Sequence, residues 1–137
     1  MSCFEMTYRV PYAETDQMGV VYYANYLVYF ERNRTEMLRS MGLPYVELEK
    51  QGIFLPVTEA HVDYKSSAKY DDLLTFRGWT AEAKGVRLKL ACEVYRDDQL
   101  LCSGYVVLAC CNEQGRPVRI PQELKDACVN FSGPENA

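Results

Sequence analysis

The chain has a single histidine, His61, and none of its six cysteines forms a Cys-x-x-Cys pair. That leaves no ligand set with the spacing of a zinc site, so no metal and no cofactor is expected. No excess of basic charge is present either. The formal net charge is −4, which argues against a general nucleic-acid binder, since such a protein needs a basic face to displace phosphate counterions. A few local lysines still suffice for an anionic ligand. No apolar run approaches the roughly 20 residues of a membrane span. Residues 1–10 lack the basic-then-apolar order of a secretory signal. A cytoplasmic protein with no membrane span is the expectation. There is no internal repeat, low-complexity tract or Pro/Gly/Ser linker, so residues 1–137 read as one domain. Cys3, Cys92, Cys102, Cys110, Cys111 and Cys128 read mainly as reduced core thiols.

What is present is enough apolar side chain, 48% of the residues, to fill a full core. A short strand is expected at 5–10, ended by Pro11. A turn-like stretch follows over 12–21, and then the strongest helical pattern, at 22–41. Its apolar positions are Tyr23, Tyr26, Leu27, Phe30, Met37, Leu38 and Met41, interrupted by Arg34. Gly42 supplies a stop, with Pro44 beyond it. A short helix at 45–51 is closed by Gly52. Strand-like alternation then occupies 54–64, 72–84, 86–96 and 99–112, with turns at Gly85, Asp97-Asp98 and 113–115. Leu88, Leu90, Cys92 and Val94 share one face of their strand, whereas 99–112 is apolar on both faces. A two-faced apolar strand needs a second covering surface, which implies an oligomer. A short terminal helix begins near Pro121, and 132–137 should fray. One long helix with one long antiparallel sheet gives an α+β fold in which the sheet wraps the helix.

Residues 12–39 carry the chemistry. Asp16 lies in an irregular loop just before the long helix, where Gly19 permits a left-handed turn. The first N–H groups of a helix lack intrahelical acceptors and favour a negative oxygen. A carboxylate beside such an amide is the minimum equipment for cleaving an activated acyl group. The carboxylate attacks or activates water, and the amide stabilises the oxyanion. The plainer reading is that Asp16 caps the helix or closes an Asx-turn. His61, on the polar face of its strand, reads as solvated. Lys65 and Lys69 are candidates to hold phosphates.

Together, T-D-x-x-G-V-V-Y at 15–22, A-N-Y at 24–26 and F-E-R-x-R-T-E at 30–36 resemble the signature of the 4-hydroxybenzoyl-CoA thioesterase family of hotdog-fold proteins. The similarity is nearest to its bacterial acyl-CoA thioesterase branch, which includes the Tol-Pal-associated enzymes. D-Y-K-S-S-A-K-Y-D-D at 63–72, Y-R-D-D at 95–98 and P-V-R-I-P at 117–121 extend the resemblance over residues 5–125. It implies a hotdog fold and a homo-oligomer, dimer or tetramer, with active sites at a subunit boundary. The implied activity is hydrolysis of an acyl-CoA, with Asp16 as nucleophile or general base. The family's polarising amide falls on the backbone of Tyr23. Gly19, Val20, Tyr22, Asn25 and Tyr26 are the expected substrate-binding neighbours, with Lys65 and Lys69. Two other activities fit the same fold: a non-catalytic acyl-CoA-binding protein, and a hydratase or dehydratase, which would need a proton-moving histidine.

Overall fold

Alternating apolar and polar residues fold as strands because successive side chains leave a pleated backbone on opposite sides. A computed structural model describes residues 2–134. It contains β1 (Phe4–Arg9), α1 (Asn25–Ser40), α2 (Tyr45–Lys50), β2 (Val57–Tyr64), β3 (Leu73–Lys84), β4 (Arg87–Arg96), β5 (Gln99–Ala109) and α3 (Gln122–Cys128). The strands form one antiparallel sheet in the order β1-β3-β4-β5-β2. The expected α+β architecture is therefore present, with α1 laid across the inner face of the sheet. No helix among the described residues is long and apolar enough to cross a membrane.

Two apolar clusters fix α1 to the sheet. Tyr26, Tyr29 and Phe30 pack with Leu74, Phe76, Cys92, Val94, Leu101 and Cys102. One helical half further on, Met37 and Leu38 join Leu88, Leu90, Val106 and Leu108, and α3 closes that end with Leu124 and Cys128. Each fully buried large side chain of this kind stabilises the fold by about 1.5–3 kcal/mol. The buried face of α1 differs from the expected stripe. Leu27 and Tyr23 are exposed, whereas Tyr29 and Asn33 are fully enclosed.

Asn33 explains itself through a glycine. A Cβ at Gly78 would overlap the Asn33 carboxamide, so only glycine lets the helix approach β3 there. The Asn33 amide donates to the Phe76 carbonyl at 3.4 Å, and the Cys92 thiol donates to its Oδ1 at 3.8 Å. The buried amide is thereby satisfied.

Three expectations need correction. The helix begins at Asn25, three residues later than the spacing suggests, because residues 22–24 form a turn. Strand β5 is not evenly two-faced. Tyr95 pairs with Leu100 and Val94 with Cys102, so Leu101 is an extra residue, and both Leu101 and Cys102 turn inward. Val107 is buried too, so the second apolar face is covered in part within the chain. The expected fraying at 132–137 fails for its first residues. The Gly133 N–H donates to the Ser2 carbonyl at 3.1 Å, and Ser132 N–H donates to Ser2 Oγ at 3.1 Å. Residues 135–137 lie outside the described residues.

Candidate active site

The loop carrying Asp16 is a tight reversal. Thr15 and Val21 form an antiparallel bridge, Asp16 N–H donates to the Val20 carbonyl at 2.9 Å, and Gly19 N–H donates to the Asp16 carbonyl at 3.0 Å. Gly19 has φ +79°, a left-handed conformation that side chains resist. Asp16 Oδ1 accepts from Met18 N–H at 2.8 Å, an Asx-turn. The plainer reading of Asp16 is thus half correct: one oxygen holds the turn. Its Oδ2 accepts no hydrogen bond from any described residue and is available for chemistry. The loop is anchored from below, where Val21 N–H donates to the Ala68 carbonyl at 2.8 Å and Val20 bridges Lys69.

The backbone then enters α1 through residues 22–24. Tyr22 N–H donates to the Glu14 carbonyl at 2.9 Å, and Asn25 and Tyr26 N–H donate to the Tyr22 and Tyr23 carbonyls. The Tyr23 and Ala24 N–H groups have no acceptor among the described residues. They are the unsatisfied donors that every helix entrance presents.

Asp16, Val20, Tyr22, Tyr23, Tyr26 and Lys65 line one open cleft of about 440 Å3, together with Met18, Val21, Tyr64, Ser66 and Ser67. Its walls are aromatic. Tyr22 and Tyr23 meet at a tilt of 55° with 4.9 Å between ring centres, and the Tyr64 hydroxyl donates to the Tyr23 carbonyl at 3.0 Å. The Tyr26 hydroxyl accepts from Ala68 N–H at 3.1 Å, which ties the helix to the 65–72 segment. The Tyr22 phenol titrates above its ordinary range, first through its hydrogen bond with Tyr23 and in lesser part through the charge of Asp16. The carboxylate is therefore within electrostatic reach of that wall.

The expected neighbours divide. Gly19 shapes the turn without lining the cleft. Asn25 turns away, its Nδ2 donating to the Glu14 carbonyl at 3.0 Å. Lys69 is also outside the cleft lining, and its N–H donates to Asp72 Oδ2 at 2.8 Å. His61 is elsewhere, on β2, with its ring against Tyr105 and 3.2 Å from the Asp63 carboxylate.

One organising residue was not legible. The Glu14 carboxylate accepts from the Tyr8 and Tyr29 hydroxyls, both at 2.6 Å. Burial first, and the Glu14 carboxylate second, push the Tyr8 phenol up to about 12, and the same causes push Tyr29 up as well. With its carbonyl on Tyr22 and Asn25, Glu14 joins β1, the Asp16 loop and the helix entrance. The available signal was Tyr29, three residues after Tyr26 on the same helical face.

Comparison with known proteins agrees with this architecture. The model of the thioesterase-like superfamily matches residues 10–128. A Haemophilus influenzae protein named acyl-CoA thioesterase YbgC is 37% identical over 126 residues, 90% of this chain and 93% of that protein. A Bacillus subtilis protein named putative acyl-CoA thioesterase YneP is 37% identical over 87 residues, 64% of this chain and 63% of that protein. The crystal structure of the Thermus thermophilus hypothetical protein TT1821 superposes with a TM-score of 0.87 at 34% identity, covering 93% of this chain and 98% of that one. By sequence over residues 10–128, and by a five-stranded sheet wrapped on one long helix, the chain belongs to the thioesterase-like superfamily of hotdog folds.

Proposed function

We propose that this chain hydrolyses the thioester of an acyl-CoA to a free acid and coenzyme A, with Asp16 as the reacting carboxylate and the Tyr23 N–H as oxyanion donor. The observation that carries the reading is the pairing in one cleft of a carboxylate oxygen without a hydrogen bond and a helix-entrance N–H without an acceptor. The thioester carbonyl oxygen would take the Tyr23 N–H. The new C–O bond forms to water deprotonated by Asp16, or to Asp16 itself followed by water. The C–S bond breaks and the thiolate leaves. A thiol with a pKa near ~8.5, by analogy with cysteine, leaves without a general acid. That suits a cleft whose lining contains neither histidine nor cysteine.

The aromatic wall of Tyr22, Tyr23 and Tyr64 would bracket the acyl group or the pantetheine arm, and Lys65 is placed to meet a phosphate. The six unbonded thiols suit a reducing cytoplasm. A homodimer, paired into a tetramer, would put these clefts at a subunit boundary. The hydratase reading is disfavoured because His61 does not line the cleft.

The test is thiol release from a panel of acyl-CoAs. Asp16→Asn should lower kcat by roughly 10²–10⁴-fold, the usual worth of a general base, with the fold and ligand affinity retained. Full turnover in that variant would overturn the assignment. Tight acyl-CoA binding by the wild-type protein with no thiol release would favour a binding protein.

A further inference from the structure

Arg34 lines a second cleft, of about 220 Å3, between α1, α2, the segment leading into β2 and the end of β5. It shares no residue with the Asp16 cleft. Arg34 follows Tyr26 by two helical turns, about 12 Å along the axis. The floor is apolar, made by the buried residues Leu38, Leu55 and Leu108. The guanidinium is half-buried, yet no described residue offers it a hydrogen bond or an oxygen within ion-pair distance. Arg96 and Arg77, by contrast, meet Asp72 at 2.7 Å and Glu5 at 2.8 Å. Loss of solvent depresses the Arg34 pKa, though from a value so high that the group stays cationic. Even partial burial of a cation without a partner is unfavourable, and water or an anion must meet the exposed part of the group. Glu31, one turn earlier, lines the rim of the same cleft and is the carboxylate that acts on Arg34, but it is exposed and makes no ion pair with it. Across the cleft, the Tyr45 hydroxyl accepts from Leu55 N–H at 3.0 Å and still has its own proton to donate.

We infer that this cleft binds a small organic carboxylate, with the carboxylate on Arg34 and Tyr45 and a short apolar body on the three leucines. The volume falls below the roughly 300–1,000 Å3 of a drug-sized site, so a benzoate-sized body fits and coenzyme A does not. The planar guanidinium suits a carboxylate, which it can grip with two parallel N–H bonds. Two sources supply that chemistry, a free acid and the remote carboxylate end of an acyl group. Binding is read without turnover, so the inference stands apart from the hydrolase reading.

The experiment titrates the full-length protein with sodium benzoate, and with benzyl alcohol as the neutral control, following the Arg34 Nε–H resonance. Benzoate should shift that resonance and saturate, while benzyl alcohol should bind about tenfold more weakly or worse, as loss of a charge-assisted bond requires. Arg34→Met should lose at least that factor. Glu31→Gln should tighten binding a few-fold, and Asp16→Asn should leave it unchanged. If Arg34→Met does not fold, the wild-type resonance still decides the question. An unmoved Arg34 resonance, equal binding of both probes, or loss of benzoate binding in Asp16→Asn would overturn the site. Comparing glutaryl-CoA with butyryl-CoA in Arg34→Met then separates the two sources: a loss confined to glutaryl-CoA assigns the acyl end, and no selective loss assigns the free acid.

Discussion

Glu14 commits both carboxylate oxygens to tyrosine hydroxyls and its carbonyl to the helix entrance, two residues before Asp16. It touches no reacting atom in the proposed chemistry, so its role is positioning. Glu14→Ala leaves the Tyr8 and Tyr29 hydroxyls without that partner, at about 1–3 kcal/mol each where they are buried. Urea unfolding should show that loss, and kcat should fall with little change in KM, because the carboxylate and amide lose their mutual placement. Glu14→Gln, which keeps the shape, should restore most of the stability. A Glu14→Ala enzyme with wild-type kcat would remove the positioning role. The same cluster gives a pH signature. Tyr8 and Tyr29 titrate above their unfolded value near ~10, so the folded state favours the protonated phenols. Their stabilisation is complete below that value and declines as pH climbs above it, for Tyr8 through about 12, its folded value, and for Tyr29 further still. Alkaline unfolding curves should therefore steepen in that window, and Tyr8→Phe should flatten them. The loop that carries Asp16 was legible in the sequence because Gly19 and the following helix mark it within one short stretch. Glu14 was not, because its partners come from β1 and α1 and share no local pattern with it.

At the scale of elements, the alternation of β3 and β4 was readable because each strand has one wet face and one dry face. The helix was readable for the same kind of reason, but its start was not. Tyr22, Tyr23 and Ala24 continue a helix-compatible composition, and only the bond from Tyr22 N–H to Glu14 shows that the chain is still turning there. A period-two pattern is also blind to an inserted residue, which is why the inward turn of Leu101 in β5 was missed. Two glycines set how closely the elements approach. Gly78 admits Asn33, and Gly104 lies where a Cβ would overlap the His61 carbonyl and crowd the Phe30 ring. The Gly104 obstacle is backbone, which cannot rotate away. Gly104→Ala should thus destabilise the fold by about 1–3 kcal/mol, the usual cost of overpacking. Gly78→Ala should cost a similar amount, and Asn33→Ala in the same chain should recover part of it by removing the obstructing side chain. Thermal melts of the three variants test this, and equal melting of Gly104→Ala and wild type would contradict the packing.

For the whole molecule, the question is what lies beyond β2. This strand is the sheet edge next to β5, and seven of its eight residues are exposed, with only Val62 partly covered. An open edge of that length offers a row of backbone donors and acceptors, which proteins normally blunt or pair. No proline or lysine protects β2 from Val57 to Tyr64. The apolar residues of β5 are partly covered within the chain, so the case for an oligomer now rests on this edge. If a second copy pairs with it antiparallel across a two-fold axis, a residue at the strand centre lies close to its own counterpart. Ala60→Lys would then set two like charges near each other, which is unfavourable in directly opposed pairs. Sedimentation should show a shift toward single chains, and turnover should fall with it, because Tyr64 at the end of β2 donates to the Tyr23 carbonyl in the proposed active cleft. A sedimentation profile unchanged by Ala60→Lys would place the contact between copies on another surface, and the outer face of the sheet around Trp79 and Tyr105 would be the next to test.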